Sequence, residues 1–128
     1  MKDFKNFFSL KNTIIFIGII IALVFFSLIA KALTAGIAER ATVKDWIIKG
    51  ALIVDVRTTE EFASGSYKGS INIPLAGLEK NLNRFGDKER LIVLYCRSGN
   101  RSGKAKLILE KNGYKNVLNG GGLVNMPQ

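Results

Sequence analysis

Residues 91–104 of this 128-residue chain read LIVLYCRSGNRSGK. The stretch begins with a continuous apolar run, which is typical of a strand buried on both faces of a sheet. The only cysteine, Cys96, ends that run, and a short polar loop with two arginines leads into a helix predicted from Ser102 to Asn112. The pattern predicts a strand–loop–helix unit with one thiol near a helix N-terminus, where backbone N–H groups stabilise anions such as a thiolate.

The segments around this unit alternate between strand patterns and helix patterns. Apolar runs and helical spacing predict the following order: helix 41–49, strand 52–56, a short helix after Thr59, strand 70–74, helix 75–85, strand 91–95, helix 102–112 and strand 117–118. Thr42 and Thr59 are candidate N-caps, and Gly120–Gly122 are expected to open a flexible tail. The alternation predicts an α/β domain, a small parallel β-sheet flanked by helices on both faces.

The composition excludes several kinds of chemistry. The chain has no histidine and a single cysteine. It therefore has no Cys-His or Ser-His-Asp arrangement, no histidine metal site and no internal disulfide, and we expect neither a metal nor another cofactor.

The net charge of the chain is +9, which either serves solubility or attracts small anions and anionic lipid. No lysine–arginine run and no interleaved aromatic pattern is present, so nucleic acid is not an expected partner.

The chain divides by composition into a short N-terminal part and a domain. Residues 1–12 form a basic tail, residues 13–33 are predicted as one hydrophobic transmembrane helix or signal anchor, residues 34–41 are a linker, and residues 42–128 form the domain. We expect the chain to cross the cytoplasmic membrane once, with the domain on the periplasmic or extracytoplasmic side. Export after cleavage of a signal peptide is the alternative.

Three motifs in order carry a resemblance to a known family. Asp55-Val56-Arg57 resembles an Asp-x-Arg that follows an early central strand, 69–74 resembles Gly-Ala-x-Asn-Ile-Pro, and 96–102 resembles the loop Cys-x-x-Gly-x-Arg-Ser. Together they resemble the rhodanese family of sulfurtransferases over most of the domain. Within that family the chain is similar to small, single-domain thiosulfate sulfurtransferases of the phage-shock type. The resemblance implies a rhodanese-like fold.

The resemblance also implies a mechanism. Cys96 would take the outer sulfur of thiosulfate or a persulfide donor, release sulfite from thiosulfate, and pass the sulfur to cyanide or a thiol. The expected binding residues for the anionic donor are those of the loop: Arg97, Ser98, Gly99, Asn100, Arg101 and Ser102. Arg101 is expected at the loop interior or rim, and Arg97 is expected to point outward. Ser102 is expected to cap the helix, either alone or while also donating to the sulfur. Asp55 and Arg57 are expected to support the loop as a buried pair.

Two other functions stay open at this point. The domain could be a membrane-tethered persulfide carrier or docking module, which would use the same loop. A cysteine phosphatase or arsenate reductase is the other alternative. Those proteins resemble Cys-x5-Arg, whereas Cys96 and Arg101 are separated by four residues, and the smaller loop suits one sulfur atom better than a tetrahedral oxyanion.

Overall fold

The structure is a computed structural model that describes the backbone of residues 2–33 and 36–128 and the side chains of residues 12–27 and 36–128. It divides the chain into two compact units, Met1–Thr34 and Ala35–Gln128. The first unit contains helix α1 (Lys2–Leu33). Across the described residues, no helix combines the length and the apolar character needed to cross a membrane. The interpretation of residues 13–33 as a transmembrane helix or signal anchor stays a prediction, and the side chains of 28–33 lie outside the described ones.

The second unit is organised around a parallel sheet. Within residues 36–128 the sheet has four strands in the order β2-β1-β3-β4: β1 (Leu52–Asp55), β2 (Ile71–Asn72), β3 (Leu91–Cys96) and β4 (Asn116–Gly122). Strands β1 and β3 pair at the centre, with Asp55 opposite Tyr95. Both strands are almost entirely buried, as their continuous apolar runs predict. The predicted parallel α/β sheet is confirmed.

Helices and a 3-10 segment cover the two faces of the sheet: α2 (Arg40–Ile48), α3 (Thr59–Ala63), α4 (Asn100–Lys111) and Leu75–Phe85. Successive side chains of a strand point to opposite faces. Leu94 and Cys96 therefore join the core that α4 and the 3-10 segment complete, whereas Tyr95 joins a second core with Val43 of α2 and the half-buried Trp46. The nucleophile candidate thus lies on the face that α4 covers.

Three local predictions differ from the structure. The predicted helix 75–85 is 3-10 in character and loses helical geometry at Asn81. Helix α2 begins at Arg40, so Thr42 lies inside it and is not its cap. Thr58, not Thr59, caps α3, because its hydroxyl accepts the N–H of Glu61 while the Glu61 carboxylate accepts the N–H of Thr58.

The end of the sheet is the largest difference. The sequence predicts a strand only at 117–118 and a flexible tail from Gly120, but β4 continues through Gly122 and all three glycines are buried. A Cβ atom at Gly120 would lie 2.9 Å from the sulfur of Met126, and one at Gly122 would collide with the carbonyl oxygen of Arg97. The glycines therefore permit close packing of β4 against the loop after Cys96.

Part of the predicted linker 34–41 packs on this strand. Ile37 forms an isolated parallel bridge with Asn119, and the N–H of Ala38 donates to the Asn119 carbonyl at 2.7 Å. Residues 34 and 35 lie outside the described part of the chain. The side chain of Ile37 comes close to the backbone of Gly99 and Gly121, so this short segment covers the back of the loop that follows β3.

Candidate active site

The loop after β3 is shaped by a glycine. Gly99 is the N-cap of α4 and has a φ of 89°, a left-handed conformation that favours glycine. A Cβ atom there would lie 2.7 Å from Cδ1 of Ile37. With this conformation, the N–H of Gly99 turns back and donates to Sγ of Cys96 at 3.1 Å. The loop therefore folds around the thiol.

The thiol of Cys96 is buried but faces polar groups. Cys96 is 1% exposed and belongs to the apolar core. Burial by itself raises the pKa of this thiol. The hydroxyl of Ser102 and the backbone N–H groups of Ser102, Ser98 and Gly99 outweigh that effect and hold the pKa below the ordinary value of a cysteine. The site can therefore stabilise a thiolate without a histidine.

Ser102 lies inside the first turn of α4. The prediction that it caps the helix is wrong, because α4 begins at Asn100 after Gly99. Its side chain is fully buried, with Oγ at 3.5 Å from Sγ of Cys96 and at 2.7 Å from Oδ1 of Asn119. The other part of the prediction, a hydroxyl beside the sulfur, agrees with the structure.

Arg101 lies at the rim of the loop and is paired. Its guanidinium donates to both carboxylate oxygens of Glu61, at 2.6 and 2.9 Å. The hydrogen bonds from Arg101 and from the N–H of Thr58 lower the pKa of Glu61 to about 2. About a third of each side chain of the ion pair is exposed. The charge of Arg101 is thus shared with a carboxylate before any anion arrives.

A shallow pocket opens beside this pair. Its volume is about 270 Å³, and its lining is mostly apolar: Val56, Thr58, Pro74, Leu75, Ala76 and Arg101. These residues follow β1 and β2 or begin α4, so the pocket lies at the carboxyl edge of the sheet, where ligands of α/β proteins bind. Of the predicted loop residues, Arg101 lines this pocket; Arg97, Ser98 and Asn100 are exposed and Gly99 is buried, but none of these four lines it.

Asp55 and Arg57 form a buried pair below the loop. The guanidinium of Arg57 donates to the carboxylate of Asp55 at 2.6–3.0 Å and to the carbonyl of Gly65 at 2.6 Å. It also lies 5.8 Å from the centre of the Tyr95 ring. The pair contacts the residue that precedes Cys96, so it supports the edge of the sheet and does not itself reach the sulfur.

Sequence reasoning missed two polar residues at this site. Glu61 binds Arg101. The available signal was the Thr58-x-x-Glu61 pattern of a capping box, which places Glu61 in the first turn of a helix. Asn119 binds Ser102 and Gly99, but it was overlooked because the glycines after it predicted a tail. The available signal was an asparagine directly after the apolar pair Val117-Leu118, because a polar side chain within a buried strand needs hydrogen-bond partners.

The comparisons identify the family. The model of the rhodanese-like domain matches residues 39–124. A curated relative is "Thiosulfate sulfurtransferase PspE" of Escherichia coli strain K12, 38% identical over 78 residues that cover 59% of this chain and 75% of that protein. The chain belongs to the rhodanese-like domain family. The resemblance to that family, and to small thiosulfate sulfurtransferases within it, is confirmed.

Two further likenesses extend this result. "Putative sulfur carrier protein YrkF" of Bacillus subtilis strain 168 is 36% identical over 67 residues, which cover 52% of this chain and only 36% of that protein. A solved structure described as "rhodanese with anions from E. coli" is 37% identical, has a TM-score of 0.57, and matches 61% of this chain and 95% of its own. The family thus includes relatives named for sulfur transfer and for sulfur carriage.

Proposed function

We propose that this domain is a sulfurtransferase that moves sulfane sulfur from thiosulfate or a persulfide donor to a thiophilic acceptor through a persulfide on Cys96. One observation carries the proposal: Sγ of Cys96 accepts the N–H of Gly99 at 3.1 Å inside a loop that lowers the pKa of the thiol. The thiolate is the nucleophilic form of cysteine, so the loop supplies what the first step needs without a general base.

Both half-reactions are displacements at sulfur. In the first, the Cys96 thiolate attacks the outer sulfur of thiosulfate, a new S–S bond forms, and the old S–S bond breaks with its electron pair leaving on sulfite. In the second, cyanide attacks the outer sulfur of the persulfide and leaves as thiocyanate, or a thiolate acceptor takes the sulfur as its own persulfide. Each step conserves charge, and the second step returns Cys96 to the thiolate.

The binding of the donor is assigned to the loop. The backbone N–H groups of residues 97–102 and the N-terminus of α4 favour negative charge at the sulfur. Arg97 is exposed on the loop, and Arg101 lines the pocket with Glu61 as its partner. The net charge of +9 would raise the local concentration of anionic donors.

The test is mass spectrometry of the intact chain after treatment with thiosulfate. We expect a gain of one sulfur atom that disappears when cyanide is added, with formation of thiocyanate. Cys96→Ser, which changes one atom at the site, should remain folded, gain no sulfur and reduce turnover to background. If the wild-type chain gains no sulfur from thiosulfate or from a low-molecular-weight persulfide, the proposal is wrong.

A persulfide carrier is the second candidate function, and the likeness to a protein named as a putative sulfur carrier favours it. A carrier would form the same persulfide but release it only to the thiol of a partner protein. Rapid multiple turnover with thiosulfate and cyanide identifies the sulfurtransferase. A stable persulfide that cyanide removes only slowly, but that a protein thiol accepts quickly, identifies the carrier.

We also propose that residues 13–33 attach the domain to the cytoplasmic membrane, with the domain outside the cytoplasm. What supports it is the apolar surface of α1, whose large apolar side chains from Ile14 to Phe26 are 50–73% exposed. Membrane fractions washed with alkaline carbonate should retain the full-length chain. Recovery of a shorter chain in the soluble fraction would instead indicate export after cleavage.

A further inference from the structure

Ser102 and Asn119 form a hydrogen-bonded pair next to the thiol, and the reaction described above gives no role to Asn119. Ser102 and Asn119 are both fully buried, and Oγ of Ser102 lies 2.7 Å from Oδ1 of Asn119. The same Oγ lies 3.5 Å from Sγ of Cys96. The hydroxyl of Ser102 therefore has two possible acceptors, one on β4 and one on β3.

Backbone neighbours determine the orientation of the Asn119 amide. Its Oδ1 accepts the N–H of Gly121 at 3.0 Å, and its Nδ2 donates to the carbonyl of Gly99 at 2.9 Å. A backbone N–H only donates and a carbonyl only accepts, so exchanging the oxygen and nitrogen of the amide would lose both bonds. Asn119 thus presents an acceptor, not a donor, to Ser102.

A serine hydroxyl has one proton to donate. Because Asn119 presents an oxygen at 2.7 Å, that proton lies between Ser102 and Asn119 while Cys96 is a thiol, and the S–H can donate to the free lone pair of Ser102. A thiolate can only accept. For Ser102 to stabilise the thiolate, its hydroxyl must rotate away from Asn119 and donate to the sulfur.

We propose that Asn119 is a positioning residue of the nucleophile, whose side-chain oxygen competes with the sulfur of Cys96 for the single hydroxyl proton of Ser102. This inference rests on the proposed function for the role of Cys96. Ionisation of Cys96 then costs the Ser102–Asn119 hydrogen bond. Asn119 limits how tightly the loop holds the thiolate, and a less tightly held thiolate has greater intrinsic nucleophilicity toward sulfur.

Two ion pairs hold the charged side chains of Arg101 and Asp55, and Arg97, the residue after Cys96, is exposed. Arg101 of α4, which interacts electrostatically with Cys96, is bound to Glu61 of α3. At the end of β1, Asp55 is bound to Arg57. From β4 the residue that reaches the site is the neutral Asn119. Neutral hydrogen bonds therefore dominate the stabilisation of the thiolate, and Ser102 gives the largest of them.

The experiment measures the pKa of Cys96 in the full chain from the pH dependence of its alkylation by iodoacetamide. Ser102→Ala should raise this pKa. Asn119→Ala should lower it by about 0.5 pH unit, the effect of one modest hydrogen bond, because Ser102 no longer has a competing acceptor. In the double variant Asn119→Ala should have no effect beyond that of Ser102→Ala. Asn116→Ala, at the opposite end of β4, is the matched control and should leave the pKa unchanged.

Two results would overturn the inference. One is a pKa of Cys96 that rises or stays the same in Asn119→Ala. The other is an Asn119→Ala substitution that shifts the pKa of Cys96 equally in the wild-type chain and in Ser102→Ala. If Asn119→Ala does not fold, NMR of the wild-type chain decides: the side-chain carbonyl signal of Asn119 should titrate with Cys96 and lose that response in Ser102→Ala. A carbonyl signal that does not follow Cys96 in the wild-type chain overturns the inference.

These outcomes are separate from the proposed function. Alkylation reports the ionisation of Cys96 whether or not the chain transfers sulfur. A chain that shows the expected dependence on Ser102 and Asn119 but never forms a persulfide would contradict the sulfurtransferase and leave this inference intact.

Discussion

Two arginine–carboxylate pairs lie near the carboxyl edge of the sheet, and they differ in burial. In the pair Asp55–Arg57 the carboxylate is fully buried and the arginine side chain is 9% exposed. In the pair Glu61–Arg101 about a third of each side chain is exposed. Both pairs have hydrogen bonds to both oxygens of the carboxylate. The two pairs therefore contain the same chemical groups and the same kind of hydrogen bonds, and they differ in how far water reaches them.

Burial gives the two pairs different consequences. A buried arginine without its carboxylate is an uncompensated charge in a medium of low polarity, so the inner pair behaves as one structural unit. The outer pair is partly hydrated, and water can replace either partner at small cost. A small anion can therefore compete with Glu61 for Arg101 at small cost, whereas separating Arg57 from Asp55 costs much more.

The largest expected effect comes from breaking the inner pair. Asp55→Ala should lower the free energy of unfolding by about 3–5 kcal/mol, because Arg57 is left buried without its carboxylate. Asp45→Ala, which removes the exposed partner of Lys49, is the control and should cost at most about 0.5 kcal/mol. Urea denaturation measures both. Equal costs for the two variants would show that burial does not distinguish these pairs.

A second prediction concerns the loop that follows Cys96. Gly99→Ala should destabilise the domain by about 1–3 kcal/mol and reduce thiosulfate turnover strongly, because a Cβ atom there strains the backbone and contacts Ile37. Gly113 has the same φ of 89° but open space around it, so Gly113→Ala should cost about 1 kcal/mol and leave turnover unchanged. Similar losses of turnover in the two variants would contradict the prediction that Gly99 shapes the loop around the thiol.

A smaller effect is expected from releasing Arg101. Glu61→Gln removes the carboxylate charge, so Arg101 becomes available to anions and the KM for thiosulfate should fall about two- to fivefold, with little change in kcat. Glu60→Gln alters the same charge one residue earlier on α3 and should leave KM unchanged. Steady-state kinetics at low and high salt measure both variants. A KM that rises in Glu61→Gln would mean that the ion pair positions Arg101 for the substrate.

The smallest effect is the response to acid. The pKa of Glu61 is lowered to about 2 in the folded chain, so its stabilising effect is present above the unfolded value of 4.5 and is lost as the pH falls through about 2. Wild-type stability should therefore fall more steeply than that of Glu61→Gln between pH 4.5 and pH 2. Parallel stability curves for the two chains would show that Glu61 is not linked to folding.

Local patterns predicted much of this domain because they depend on near neighbours. The apolar runs of β1 and β3 predicted buried parallel strands, and leucines at 75, 78 and 82 with Phe85 predicted which side of that segment is buried. The failures came from long-range packing. Gly120–Gly122 have the composition of a flexible tail, but Met126 and the loop carbonyl of Arg97 pack too closely for any larger residue.

The candidate site also has a part that local sequence patterns predicted and a part that depends on long-range packing. The motif around Cys96 predicted a thiol at the start of a helix, and the structure gives that thiol backbone donors. The partners of the motif came from elsewhere in the chain: Glu61 is 40 residues from Arg101, and Asn119 is 17 residues from Ser102. No spacing rule connects positions that meet only when α3 and β4 pack beside α4.

The sequence alone determined the alternation of strands and helices, the position of the single thiol and the family, because each depends on residue types at short spacing. Only the tertiary structure decided which side chains share the protons and charges around that thiol. The physical reason is that hydrogen bonds and ion pairs depend on distance and burial, and for residues far apart in the chain the packing of the sheet and its helices sets both.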